Sequence, residues 1–156
     1  MPVGSAESYS TVNTPTQFAA VEAYANDFEQ YKKKVKAILR AVGNYVYNNL
    51  KSNKVLIAPP QGAFYLMPEF INKKYKTSSK LCEAILNETG VAMLPGSDFG
   101  FKPKKMLTRL SFTDFDGKKF LENIKTYNEL NDEVIKKYAP NVVEGTKRLS
   151  EWSKSL

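Results

Sequence analysis

The sequence predicts an α+β domain: a small, mainly antiparallel sheet with helices packed on one face. Three observations predict it. Helical apolar repeats open and close the chain. Between them lie four short apolar runs, at 55–58, 63–68, 91–94 and 106–113, each bounded by Gly, Pro, Lys or polar residues. The runs are too short, and their connections too mixed, for a regular strand–helix–strand series with a parallel sheet.

The elements follow in order. Residues 1–10 read as a flexible lead. Thr14 is the expected N-cap of a first helix, with Pro15 at its first helical position. Ala19, Ala20, Ala23 and Ala25 would let a neighbour approach it closely. Asp27 with Gln30 resembles a capping box for a longer helix. There Phe28, Tyr31, Val35, Ile38, Leu39, Val42, Tyr45, Val46 and Leu50 recur at three- and four-residue steps, the signature of one buried stripe. "KSNK" ends it, and "PPQG" separates the first two strands. Ser78 or Ser79 is the expected cap of a helix carrying Leu81, Ile85 and Leu86, which Gly90 stops. After the last strand, residues 114–117 turn into one long helix with Phe120, Ile124, Tyr127, Val134 and Tyr138 on one side. "AP" at 139–140 breaks it. A final helix from about Val142 places Val142, Leu149, Trp152 and Leu156 at near-heptad spacing. No internal repeat or long linker appears, so residues 11–156 are expected to form a single domain.

Composition bounds the function. A chain of 156 residues and 17.6 kDa, 42% hydrophobic, with nine Phe, nine Tyr and one Trp, can build a core. Its net charge of +7 invites a nucleic-acid reading. The lysines are scattered, however, and the densest run, "YKKKVK" at 31–36, shares a helix with an apolar face, the pattern of a solvated face. No basic and aromatic residues interleave as a single-strand platform would require. No apolar run reaches the roughly 18 residues that span a bilayer, and "MPVGSAESYSTVNTPTQ" lacks the basic and apolar regions of a signal peptide. One cysteine, Cys82, excludes an internal disulfide and fits a reducing compartment, so a cytoplasmic location is expected. With no histidine, metal sites built on His or Cys clusters and Ser/His/Asp or Cys/His nucleophilic systems are excluded. Asp114, Asp116, Glu129, Asp132 and Glu133 sit at a cap or on an exposed helix face and suggest no acid/base pair.

One residue stands apart. Against twenty lysines there are three arginines, and Arg109 lies in the middle of the last apolar run. Strand side chains alternate, so Met106, Thr108, Leu110 and Phe112 form the core face, while Leu107, Arg109, Ser111 and Thr113 form the other. On an open face Arg109 is a surface residue. On a covered face its planar fork would receive a carboxylate or phosphate.

Three stretches, in this order, resemble the C-terminal domain of class I/II aminotransferases, the fold-type I enzymes dependent on pyridoxal phosphate. They are "QGAFYLMPEF", "LNETGVAMLPGSDFG" and "MLTRLSF". The family's blocks match Pro60 and 62–65, then Gly90, Val91, Ala92, Pro95, Gly96, Phe99 and Gly100, then 109–112. Upstream, "TPTQFAAVEAY" is similar to the helix that follows the family's cofactor lysine. The resemblance runs from about residue 11 to 138, and the wider family is α/β. It implies that Arg109 receives the substrate's α-carboxylate and that Phe64 lies near the substrate side chain. It implies amino-group transfer between an α-amino acid and a 2-oxo acid in a parent enzyme, a homodimer.

The same resemblance places the cofactor lysine, the aspartate facing the pyridine nitrogen and the phosphate-binding residues before "TPTQFAA", in an N-terminal large domain. No catalytic or cofactor-binding residue, and no metal site, is therefore expected in this chain, which alone should bind no pyridoxal phosphate and be inactive. "TSSKL" imitates the lysine motif, but its position maps to the cap of a surface helix, so Lys80 is expected to be solvated. Two other readings stay open: a stand-alone module binding carboxylates or a protein, and a basic nucleic-acid-binding domain.

Overall fold

A computed structural model describes residues 12–126 and 129–156. The expected lead at 1–10 and Tyr127 lie outside them. The chain divides into two compact units, Met1–Lys32 and Lys33–Leu156.

In the first unit, α1 spans Thr14–Ala25. Its N-cap is Asn13, whose side chain accepts from the Thr16 N–H at 3.0 Å, one residue before the expected Thr14. Pro15 sits in the first turn, where no N–H is missed. The helix buries no residue: Phe18, Val21 and Tyr24 are all exposed. The long helix α2, Glu29–Leu50, begins in this unit. Asp27 caps it through the Glu29 N–H at 2.8 Å, in place of the expected box with Gln30. Phe28 and Tyr31, assigned to the buried stripe by their spacing, are exposed.

In the second unit the stripe on α2 is Ile38, Val42, Tyr45, Val46 and Leu50, all buried, with Leu39 packed against them. Two short antiparallel sheets follow. In one, β1 (Val55–Leu56) pairs with β3 (Glu69–Phe70). The other has the order β2–β5–β4, from Tyr65–Leu66, Thr108–Ser111 and Leu94–Pro95. The run at 91–94 is strand only at its end, and Glu69–Phe70, just past the run expected at 63–68, is a further strand. Helix α3 spans Ser78–Thr89. It is capped by Thr77 rather than by either serine, and closed by Gly90 at φ 74°, whose N–H reaches the Leu86 carbonyl.

Among the described residues the expected long helix is two helices, α4 (Gly117–Asn123) and α5 (Asp132–Tyr138). Polar side chains between them bind the backbone instead. Glu129 accepts from the Lys125 and Thr126 N–H groups, and Asn131 caps α5 through Val134. Such local bonds compete with helix. Pro140 starts α6 (Pro140–Ser153) in its first turn, so the proline begins a helix as well as ending one. Trp152 on α6 packs edge-on to Phe70 and bonds Glu88 through its indole N–H at 2.7 Å. One core joins α2, the sheets, α3, α5 and α6 through Val42, Phe70, Leu81, Ile85, Phe112, Ile135 and Leu149.

Candidate functional site

The site is built on β5, the central strand of the three-stranded sheet. Thr108 is fully buried and fixes the strand: its N–H and hydroxyl both donate to the Pro68 carbonyl, at 2.9 and 3.1 Å. Met106, Leu110 and Phe112 enter the core as alternation predicts, and Ser111 and Thr113 are exposed. Leu107 departs from the pattern and is buried. It lies against the turn after β4: its carbonyl accepts from the Gly96 N–H at 2.8 Å.

Arg109 lies on the face opposite Thr108 and Leu110, opposite Leu94 of β4, and is partly buried. Two rings hold its guanidinium. Its central carbon lies 4.2 Å from the centroid of Phe99 and 4.4 Å from that of Tyr65. Both distances are within cation–π range. Among the described residues, the Arg109 side chain has no hydrogen-bond partner and no carboxylate. No side-chain nitrogen in the described structure is both buried and unpartnered, so none of the Arg109 guanidinium nitrogens is sealed from solvent. The result is a partly buried cation flanked by two rings, with no hydrogen-bond partner among the described residues.

Local sequence explains how the rings arrive. Tyr65 lies on β2, which pairs with β5 through Tyr65–Ser111 and Leu66–Leu110. Phe99 comes from a one-turn 3-10 helix, Gly96–Phe99, directly after β4. A Cβ on Gly96 would meet the Leu107 carbonyl oxygen at 2.8 Å, so only glycine lets this turn press against β5. Phe64, the other residue the sequence pointed to, is 39% exposed, and its ring packs on Tyr65 at 4.2 Å between centroids. Ala63 before it has φ 56°, the left-handed region that disfavours a side chain. Sequence reasoning missed Tyr65 and Phe99 as site residues. Both stand in the quoted motifs, and the signal that marks them is their place on the two segments flanking β5. Phe99, Phe64 and Leu94 leave an apolar rim exposed near the cation.

Lys80 lies exposed in the first turn of α3, where a bond to Glu83 at 2.7 Å holds its ammonium above the usual lysine range. In "YKKKVK", Lys32 pairs with Glu29 and Lys34 donates to the Leu121 carbonyl. Among the described residues, seven lysines and Arg148 form ion pairs with carboxylates. Asp116 caps α4, and Asp132 and Glu133 lie in the first turn of α5. Cys82 is buried, and burial, with the Asp98 charge second, pushes its thiol from 9.0 up to about 11. Among the described residues, no three His, Cys, Asp or Glu side chains are placed to hold a metal ion, and no helix is long and apolar enough to cross a membrane. A groove of about 480 Å³ runs between α6 and the ends of α3 and β5, past Gly90, Asp114 and Arg148, and does not include Arg109.

The fold is that of an α+β aminotransferase-like domain. Aspartate aminotransferase from Thermotoga maritima superposes on 98% of the chain, using 32% of its own length, with a TM-score of 0.63 and 25% identity. Residues 4–124 match the family model for aminotransferase class I and II, and the chain belongs to that family. A probable N-acetyl-LL-diaminopimelate aminotransferase from Bacillus subtilis is 37% identical over 97 residues, 58% of this chain and 22% of that protein. An inactive alanine aminotransferase from Saccharomyces cerevisiae is 28% identical over 119 residues, 69% of this chain and 23% of that protein. The chain thus spans about a quarter of the length of these relatives.

Proposed function

We propose that this chain is the C-terminal small domain, residues 11–156, of a pyridoxal phosphate-dependent aminotransferase, and that Arg109 is its substrate-carboxylate receptor. The observation that carries this is the state of Arg109: fixed between two rings, partly buried, and free of any carboxylate among the described residues. A bidentate clamp on one carboxylate would orient an amino acid or 2-oxo acid for chemistry supplied elsewhere. Phe64, beside Tyr65 and exposed, would contact the substrate side chain.

The cofactor supplies amino-group transfer when bound, but the described residues do not fit it. A Schiff base needs a lysine amine inside a site. Lys80, whose neighbours imitate the family's lysine motif, is on the surface and tied to Glu83. The cofactor lysine, the large domain, a homodimeric parent and a cytoplasmic location therefore belong to the proposal and not to this chain's geometry. The chain alone would be inactive.

Two experiments test the reading. Immunoblotting of source cells with an antibody against this chain should give a band well above 17.6 kDa; a band at that mass would make it a stand-alone module. In the longer product, Arg109→Ala should lower kcat/KM at least about 100-fold through loss of two charge-assisted bonds. An unchanged value would remove Arg109 from the site.

A further inference from the structure

We infer that Tyr65 and Phe99 are positioning residues that make Arg109 selective for planar carboxylates. The inference rests on Arg109 being a carboxylate receptor and goes beyond it in assigning the two rings a function. The two rings come from the segments that flank β5 on its two sides, and their centroids lie 4.4 Å (Tyr65) and 4.2 Å (Phe99) from the guanidinium carbon. The donors lie in the guanidinium plane, so an anion can reach them only edge-on. A carboxylate is itself planar and presents two oxygens in that plane. Sulfate or phosphate is tetrahedral, and its out-of-plane oxygens would point at the rings. An aromatic face offers such an oxygen no donor.

The rings also remove freedom in advance. A free arginine side chain loses rotamer entropy when it binds, and a preorganised one has lost it on folding. The two rings come from separate elements, β2 and the 3-10 helix after β4, so the slot exists only when β2, β5 and β4 are paired. Ordinary core packing would bury these rings. Phe99 is 38% exposed instead, and its ring covers a charge.

The test uses the chain itself and two NMR readouts. The first is the Arg109 Nε–Hε resonance, which ring currents move upfield when a ring lies over the guanidinium. The second is affinity for acetate and, separately, for sulfate, each titrated at constant ionic strength. The variants are Tyr65→Leu, Phe99→Leu and the conservative Tyr65→Phe, with amide dispersion reporting the fold. In the parent chain Hε should lie upfield and acetate should bind better than sulfate. Either leucine variant should move Hε downfield, weaken acetate about fivefold, the ordering cost of one long side chain, and narrow the acetate-over-sulfate ratio. Tyr65→Phe should restore all three.

Acetate affinity and selectivity unchanged in both leucine variants would overturn the positioning role while leaving Arg109 as a receptor. No acetate response in the parent chain, with Hε upfield, would overturn the receptor reading and this inference with it. If a leucine variant loses amide dispersion, the parent chain's own acetate-over-sulfate ratio decides the matter, and a ratio at or below one overturns the selectivity.

Discussion

At Cys82 burial and nearby negative charge act in the same direction, both opposing the thiolate. The folded chain holds this proton more tightly than the unfolded chain, so its contribution to stability is lost as pH rises from about 9 toward about 11. Alkylation by iodoacetamide should be slow at pH 8 and rise with an inflection near 11; in urea the inflection should return to near 9. An inflection near 9 in the folded chain would mean that the thiol is solvated. Ala63 tests the backbone in the same residue-by-residue way. With φ 56° it carries a left-handed penalty of about 1 kcal/mol that glycine lacks, offset in part by glycine's larger unfolded entropy. Ala63→Gly should therefore be neutral or slightly stabilising by urea titration, where the same change inside a helix costs up to about 1 kcal/mol.

At the scale of elements, the turn from β4 to Phe99 depends on a contact that no side chain can share. Gly96→Ala places a Cβ against the backbone oxygen of Leu107, which cannot swing away. It should cost about 2–3 kcal/mol, within the range of overpacked sites, and shift the Arg109 environment because Phe99 is three residues further on. A thermal shift below about 1 °C would show that the turn relaxes freely. The cap of α5 should behave more mildly. Asn131→Ala removes the bond to the Val134 N–H and should cost about 1 kcal/mol, read by the same titration. The stretch between α4 and α5 reads as helix because Phe120, Ile124 and Val134 keep a helical spacing across it. Periodicity records which side chains could share a face. It does not record that Glu129 and Asn131 bind the backbone first.

At the scale of the whole molecule, stability should be unevenly spread. Helix α1 is twelve residues long and buries none of them. An isolated helix of that length is marginal in water. By hydrogen exchange its amides should be lost far faster than those of α2 from Ile38 onward and of α3, which carry the core. Equal protection would mean that an association in solution covers α1.

Much of this was legible in the sequence. The α+β class, the core stripe from Ile38 to Leu50, the alternation at β5 and the Gly90 stop follow from periodicity and backbone sterics, which act over a few residues. So does the outward face of Arg109. Phe28 and Tyr31 obey the same period as the stripe and are nonetheless exposed, because a period says nothing about whether a partner surface exists. The sequence by itself thus determined the fold class, the core stripe from Ile38 to Leu50, the Gly90 stop and the outward face of Arg109. Only the tertiary structure decided that Tyr65 and Phe99, thirty-four positions apart in the chain, both reach the Arg109 guanidinium. Local sterics set which way a strand side chain points, whereas a stacking partner is set by which strands pair, a long-range choice made by the packing of the core.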